Sequence, residues 1–383
     1  MGFDLLLAGG PGNTLFPGDL LSCLVEARVE QSLDEPTRFA VRFQDDIVDG
    51  KSQKAGLPEL KIGTLLTIAV SKGNGDDYTC LVRGPILDHD QELTLGGPGS
   101  WFEVQGVDRR DELARDYREG AWTGRASDVA RLLLSPVYPQ AEIDRTDEIH
   151  DAEENPLPQR GTDLEFLKKN ASENGYHFWI VYEQVVQGPA GLSLTEKAQW
   201  KASPKLQDSA GPGIPLPLPL GNDPVTLRYN VPQSQCPNVT KLKLTTEGDR
   251  PTQVRTSTLN TTDGGNDGMT VSDQASPLGA QGEGLAAHAP PRFIVPEPQG
   301  NAQAGRTINE AALREAGFFV KAEVSTTRYL LRNVLEPHQL VAVEGVGEPS
   351  GTVPFRVAEV THVINGIAHF MDAKLETNAR VSP

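Results

Sequence analysis

The sequence predicts a mainly β protein with an inserted α/β part and two related small β-barrels in one chain. Three observations lead there. The first 110 residues alternate apolar and polar side chains in short runs punctuated by Gly, Pro and Asp. A comparable set of runs recurs near the C-terminal end. Between the two, a capped helix leads straight into an aromatic strand.

Residues 1–110 are read as the first barrel. Leu21, Cys23, Val25, Ala27 and Val29 give one apolar face against Ser22, Leu24, Glu26, Arg28 and Glu30. After the turn signal Asp34-Glu35-Pro36, a second strand alternates Phe39, Val41 and Phe43 with charged and polar neighbours. Further strands are predicted over 65–70, 78–83, 86–93 and 101–107.

Residues 111–223 change character. Ser127 is placed to cap a helix with Val129, Leu132 and Leu133 on one face, ended by Pro136. Thr162 with Glu165 three residues later reads as a capping box, Leu164, Leu167 and Ala171 share a helix face, and Gly175 supplies the left-handed stop. The aromatic and β-branched run 176–182 suits a strand. From 187 to 224 Pro and Gly are dense, Pro215, Pro217 and Pro219 among them, which predicts an extended connector.

The second barrel is assigned to 224–250 and 307–383. The segments beginning Ile62-Gly63-Thr64-Leu65, then 78–86, then 101–104, are matched by Pro337-His338-Gln339-Leu340, then 353–360, then 367–375. Residues 251–306, poor in aromatic and β-branched side chains, are read as an exposed low-complexity insertion. Order resumes at Thr307, where Ile308, Ala311 and Ala312 suggest a helix leading into a strand over 320–326.

Composition narrows the function. Fifty-two acidic against thirty-five basic residues give a net charge of −17, which argues against a direct, counterion-driven grip on nucleic acid. That charge suits solubility, or the lining of a channel through which an acidic cargo passes. Three cysteines, Cys23, Cys80 and Cys236, stand in no CxxC spacing, so neither a disulfide framework nor a zinc site is predicted. No basic segment followed by an apolar run opens the chain, and no stretch reaches the roughly 18 apolar residues of a membrane span. The expectation is synthesis in the cytoplasm without a signal peptide and no membrane insertion.

Catalytic readings are weak. Asp108 with Asp111 and Glu112, or Glu153 with Glu154, are acidic pairs of the kind a hydrolase uses, but charged loops and helix faces are commoner. His362 and His369 lie seven residues apart on expected neighbouring strands without a third metal ligand, so hydrogen-bonded barrel histidines are the reading. No nucleophile elbow, phosphate loop or dinucleotide fingerprint occurs, and the Gly9-Gly10-Pro11-Gly12 run lacks the strand and helix a phosphate loop needs. No cofactor is predicted.

The segment carrying Gln159, Thr162, Asp163, Phe166, Leu167 and Gly175 resembles the motif of the phage late control D family, the hub proteins of contractile tail baseplates, which also form the N-terminal part of VgrG spike proteins. Three further pieces follow in the family's order: the turn Gly106-Val107-Asp108, the helix start Ala126-Ser127-Asp128, and Val360-Thr361-His362 with Gly366 ahead of an alternating strand. Pro337-His338 departs from the Gly-Asp pair common before the second-barrel strand, which puts that turn in doubt.

The resemblance implies a homotrimer whose two barrels per chain form a pseudo-sixfold ring. Such a hub is a symmetry adaptor, non-enzymatic, joining a trimeric spike to the hexameric tail tube and nucleating tube assembly inside a phage tail or injection particle. Implied partners are a second and third copy of the chain, the tail tube protein, baseplate wedge proteins and a spike. Only eight residues follow Leu375, so the spike is expected to be a separate protein. Tube contacts are sought in loops 45–54 and 344–351, at Asp45, Asp46, Lys51, Lys54, Glu344 and Glu348. The rival readings are a β-rich glycan- or peptide-binding module, for which the four tryptophans are scattered rather than clustered, and a hydrolase using paired carboxylates. Phage tail, secretion system and extracellular injection particle stay open.

Overall fold

A computed structural model describes residues 5–45, 47–48, 51–72, 77–94, 99–153, 156–188, 191–202, 225–259, 266–271, 284–285, 292–294, 302–345 and 354–379. Its N-terminal strands are β1 (Leu5–Gly9), β2 (Leu24–Ser32), β3 (Arg38–Gln44), β4 (Leu65–Ser71), β5 (Tyr78–Glu92) and β6 (Trp101–Val107). The middle contributes β7 (Tyr117–Trp122), α1 (Ala126–Leu134), β8 (Leu157–Thr162), α2 (Asp163–Glu173), β9 (His177–Gln187) and β10 (Leu192–Lys201). There follow β11 (Val225–Arg228), β12 (Lys241–Thr246), α3 (Ala302–Ala316), β13 (Val320–Thr327), β14 (Leu340–Glu344), β15 (Phe355–Asn365) and β16 (His369–Thr377).

The N-terminal strands pair in the order β2-β3-β6-β5-β4-β1, and the C-terminal ones in the order β12-β13-β16-β15-β14-β11. Local details repeat with the order. The β5–β6 ladder shifts register between Ile86 and Asp88, and the β15–β16 ladder shifts between Val357 and Glu359. Gly63 N donates to Ile86 O at 2.7 Å and Ile86 N to Thr64 O at 2.9 Å; the counterparts are His338 N to Val357 O at 3.0 Å and Val357 N to Gln339 O at 2.9 Å. The turn that Pro337-His338 put in doubt therefore forms, with His338 at φ +69° where Gly63 sits at φ +84°. One pairing does not repeat: β1 runs antiparallel to β4, whereas β11 runs parallel to β14.

Among the described residues neither set closes on itself. Instead β15 pairs antiparallel with β2 from Glu359↔Ser32 to Asn365↔Glu26, so both sets belong to one 13-stranded sheet. They also share one core, in which Val29, Val41, Val82 and Val104 pack with Val341, Val357, Val360 and Leu375. Each such side chain contributes roughly 1.5–3 kcal/mol by burial. The expected pair of barrels is thus joined by a ladder rather than standing apart.

Several local expectations change. A bulge between Leu24 and Glu26 turns Val25 outward at 45% exposure, so the predicted apolar face holds only from Ala27 on, and Leu21 lies in a short helix, Gly18–Ser22. The strands predicted over 78–83 and 86–93 are one, β5. It crosses β6 so closely that a Cβ on Gly106 would lie 2.2 Å from Pro85 O, which is why glycine opens the Gly106-Val107-Asp108 turn.

In the middle, α1 and α2 pack Leu133, Leu134, Phe166 and Leu167 with Tyr138, Phe178 and Trp200 in a second core. Ser127 does not cap α1. The N-cap position is Arg125, without a side-chain bond, while Ser127 is buried beside Thr146. Leu132 is exposed, because Leu134, four residues after Ala130, completes the buried face. Residues 192–201, expected in a connector, form β10 and pair antiparallel with β9. Pro215, Pro217 and Pro219 lie outside the described residues.

Of the segment read as a low-complexity insertion, Gln253–Leu259 pairs with Asn266–Val271 and with Phe293–Ile294, and the resulting sheet lies against α3. Val254 and Leu285 are buried, so this part has apolar contacts of its own. The helix expected from Thr307 starts at Ala302. No described helix is long and apolar enough to cross a membrane.

Candidate assembly surface

Two solvent-exposed stretches of the large sheet have a ladder partner on one side only among the described residues. β12 pairs with β13 alone, and β5 over Asp88–Glu92 pairs with β6 alone. Both stretches are solvent-exposed, and unpaired backbone amides and carbonyls along an exposed strand are a template for another strand. The two edges differ in charge. β5 offers Asp88, Asp90 and Glu92 at alternate positions, whereas β12 offers Lys241 and Lys243. Sequence reading missed these lysines as a feature, although lysine at alternate positions is the usual mark of an edge strand.

The middle segment is fixed to the sheet by buried charge. Arg110 lies over Asp108 with Nε to Oδ1 at 3.1 Å and Nη2 to Oδ2 at 2.7 Å. The same guanidinium donates to Phe178 O in β9 at 2.8 Å and to Glu35 O at 2.9 Å. Asp108 also accepts from Thr37 N at 2.7 Å. A second link runs from Asp34 through His177, 2.9 Å apart, to Arg356, whose Nη1 lies 3.0 Å from His177 Nε2 and whose guanidinium pairs with Glu376. Burial holds the Glu376 carboxyl above its ordinary range despite Arg356. His338 stacks on Trp179 with ring centres 3.8 Å apart. Rigid placement of the middle segment relative to the sheet follows from these links.

The motif residues gather around α2. Gln159 is buried in β8; its oxygen accepts from Trp122 Nε1 at 2.7 Å and its nitrogen donates to Asp163 Oδ1 at 2.8 Å. Arg118 pairs with the same Asp163 oxygen at 3.0 Å. Thr162 and Glu165 form the predicted capping box, with bonds of 3.2 and 2.8 Å. Phe166 and Leu167 enter the second core, and Trp200 Nε1 donates to Leu167 O at 3.1 Å. Gly175 adopts φ +67° and ends the helix. All these roles are structural supports within the middle segment.

The remaining candidates fall in different places. Val360 and His362 are buried in β15, and Gly366 lies in the hairpin where Asn365 Oδ1 accepts from Ile367 N at 3.0 Å. His362 Nδ1 meets His369 Nε2 at 2.9 Å, and His362 Nε2 meets Gln31 Oε1 at 3.0 Å. With Gln31 Nε2 donating to Leu81 O, one hydrogen-bonded chain crosses from β16 through β15 and β2 to β5. No group of three potential metal-ligating side chains gathers among the described residues.

The paired carboxylates are committed to arginines: Asp108 to Arg110, Asp111 to Arg115, Glu112 to Arg109. Glu153 is exposed, and Glu154 lies outside the described residues. Trp179 and Trp200 are buried, so they offer no platform for a sugar.

Of the tube-contact candidates, Asp45 is 1% exposed and accepts from Gln53 N at 3.1 Å, so it braces its loop from inside rather than facing a partner. Lys51 is exposed and Lys54 half-buried. Glu344 pairs with Arg228 at 3.1 Å. Asp46 and Glu348 lie outside the described residues. By the strand repeat, loop 344–351 corresponds to the β4–β5 connection, not to loop 45–54, whose counterpart is the β13–β14 connection. The two loops therefore leave opposite ends of their strand sets.

No protein-family model matches the sequence, and no curated protein matches it. Solved structures do resemble it. The 43 kDa tail protein of prophage MuSo2 from Shewanella oneidensis shares 13% identity over 97% of both chains with a TM-score of 0.61. A chain of the Francisella PdpA-VgrG complex shares 10% identity over 99% of this chain and 58% of that one, at 0.56. An E. coli component of the type VI secretion system shares 11% over 94% and 74%, at 0.50. At such identities the likeness is one of fold, and it extends over nearly the whole chain. The chain has the fold of phage tail proteins, of a type VI secretion system component and of a chain in a PdpA-VgrG complex.

Proposed function

We propose that the chain is a structural hub of a contractile tail or injection-system baseplate, acting as a homotrimer that joins a trimeric spike to a hexameric tail tube and nucleates tube assembly. The observation that carries this reading is the repeated strand set, with the same pairing order, the same bulge and the same turn at both ends of the chain. Two similar modules per chain let a threefold object present a nearly sixfold face. The fold shared with tail and secretion-system proteins supports the same setting.

In this reading residues 1–110 and 224–250 with 307–383 face the tube, 111–223 forms the wall above the spike, and 251–306 is a peripheral insertion. Tube protein, spike and baseplate wedge proteins are the partners, and because loops 45–54 and 344–351 leave opposite ends of their strand sets, one of them and not both is the tube contact. The chain acts by assembly, without turnover. Light scattering on the purified full chain, followed by electron-microscopic class averages, tests it: a threefold particle with six similar lobes is expected. A particle of any other symmetry, or a chain that stays monomeric at every concentration, would refute it.

A further inference from the structure

The trimer proposed above leaves open which surfaces meet, and the internal repeat answers that question at the level of single residues. Within the chain, the bulged strand β15 of the second set adds β2 of the first set to its outer edge, from Glu359↔Ser32 to Asn365↔Glu26. β5 is the counterpart of β15, and β12 is the counterpart of β2. The outer edge of β5 beyond its bulge and the outer edge of β12 are exposed and have no ladder on that side among the described residues. We infer that β5 of one copy pairs antiparallel with β12 of the next, repeating between chains the junction that β15 and β2 make within one.

The register follows from the repeat. Asp88 stands where Glu359 does, one residue past the bulge, and Trp101 and Phe370 are matching positions of β6 and β16. Carried through β3 and β13, the match places Lys243 where Arg28 is and Leu242 where Ala27 is. Val363 lies opposite Arg28 and Ile364 opposite Ala27. The seam therefore sets Glu92 opposite Lys243, Leu93 opposite Leu242 and Gln91 opposite Leu244.

Chemistry agrees with that register on both faces of the strands. On one face Glu92 meets Lys243, which within its own chain also pairs with Glu323 at 2.9 Å, with Asp90 diagonal to the same lysine and Lys241 diagonal to Glu92. Asp88 meets Glu247, whose charge is already taken up by Arg250 at 3.1 Å and Lys321 at 2.8 Å. On the other face Leu93 and Leu244, 51% and 45% exposed, become covered. A one-residue slip would set the acidic side chains against leucines, so the register is specified.

The inference rests on the hub reading, and the test separates the two. Glu92→Lys and Lys243→Glu each place like charges across the seam and are expected to abolish the trimer; the double variant Glu92→Lys/Lys243→Glu is expected to restore it. Both positions are exposed, and circular dichroism checks that each variant folds. In a Cys236→Ser background, Gln91→Cys/Leu244→Cys is expected to yield covalent dimers and trimers under mild oxidation, whereas the out-of-register pair His89→Cys/Leu244→Cys yields none. Wild-type trimers with no in-register cross-link, or single charge variants that trimerise normally, would overturn the seam and leave the hub reading standing. A wild-type chain that neither associates nor cross-links would overturn both.

Discussion

Arg110 offers the sharpest test of how the middle segment is held. Substitution by methionine keeps the length of the aliphatic stem and removes the guanidinium. Asp108 and Arg110 are each 1% exposed, so the variant leaves a carboxylate in the interior without its counter-charge. Removing one partner of a buried pair costs about 3–5 kcal/mol. Phe178 O and Glu35 O lose their donor as well, whereas Asp108 keeps Thr37 N at 2.7 Å and Arg110 N at 2.9 Å. The retained bonds favour the lower half of that range, about 3–4 kcal/mol. At roughly 2 °C per kcal/mol for a chain of this size, the thermal midpoint should fall by about 6–8 °C. Urea titrations followed by far-ultraviolet circular dichroism and tryptophan fluorescence measure the loss. Asp108→Asn added to Arg110→Met removes the stranded charge and should recover at least about 1 kcal/mol, because the two changes share one interaction. A cost below about 1 kcal/mol for Arg110→Met, or full additivity of the two substitutions, would refute the account.

Two further outcomes follow from local geometry. Thr162→Ala removes the acceptor for Glu165 N at the start of α2 and should cost about 1 kcal/mol in the same urea titration, with no change in secondary structure; an unchanged midpoint would mean the box is idle. Burial, with Arg328 nearby, lowers His369 to about 4, and burial beside His369 holds His362 well below its ordinary value. Each folded value lies below the unfolded one near 6.5, so the unfolded chain binds more protons in between. Stability from the pair is complete above about pH 6.5 and is lost as pH falls toward 4, by at most about 1.4 kcal/mol per pH unit per histidine. His362→Leu/His369→Leu should show a shallower acid slope than the wild type, and parallel profiles would contradict the assignment.

The sequence by itself determined the features that near neighbours control. Thr162 and Glu165 announce the start of α2 because both capping bonds span three residues, and Gly175 announces its end because a left-handed residue closes a helix locally. The alternation of Phe39, Val41 and Phe43 marks β3, since successive side chains of any strand point to opposite faces. The repeat between the two ends was likewise readable in the order of its strands, whereas the turn before β14 was not, because Pro337-His338 departs from the expected pair and only the long-range bonds between His338 and Val357 show that it forms as the one before β4 does.

What tertiary structure decided is who pairs with whom. Nothing local to Glu26 or Asn365 says that they lie side by side, and that pairing turns two sets of strands into one sheet over one core. Residues 192–201 looked like connector until β9 supplied a partner, and Asp45 looked like surface until Gln53 folded over it. Asp108 looked like half of an acidic pair until Arg110 closed on it. Each depends on long-range proximity, which a residue's neighbours in sequence do not encode. The same holds for the exposed edges of β5 and β12, since an edge is defined by the strand that is absent from its side.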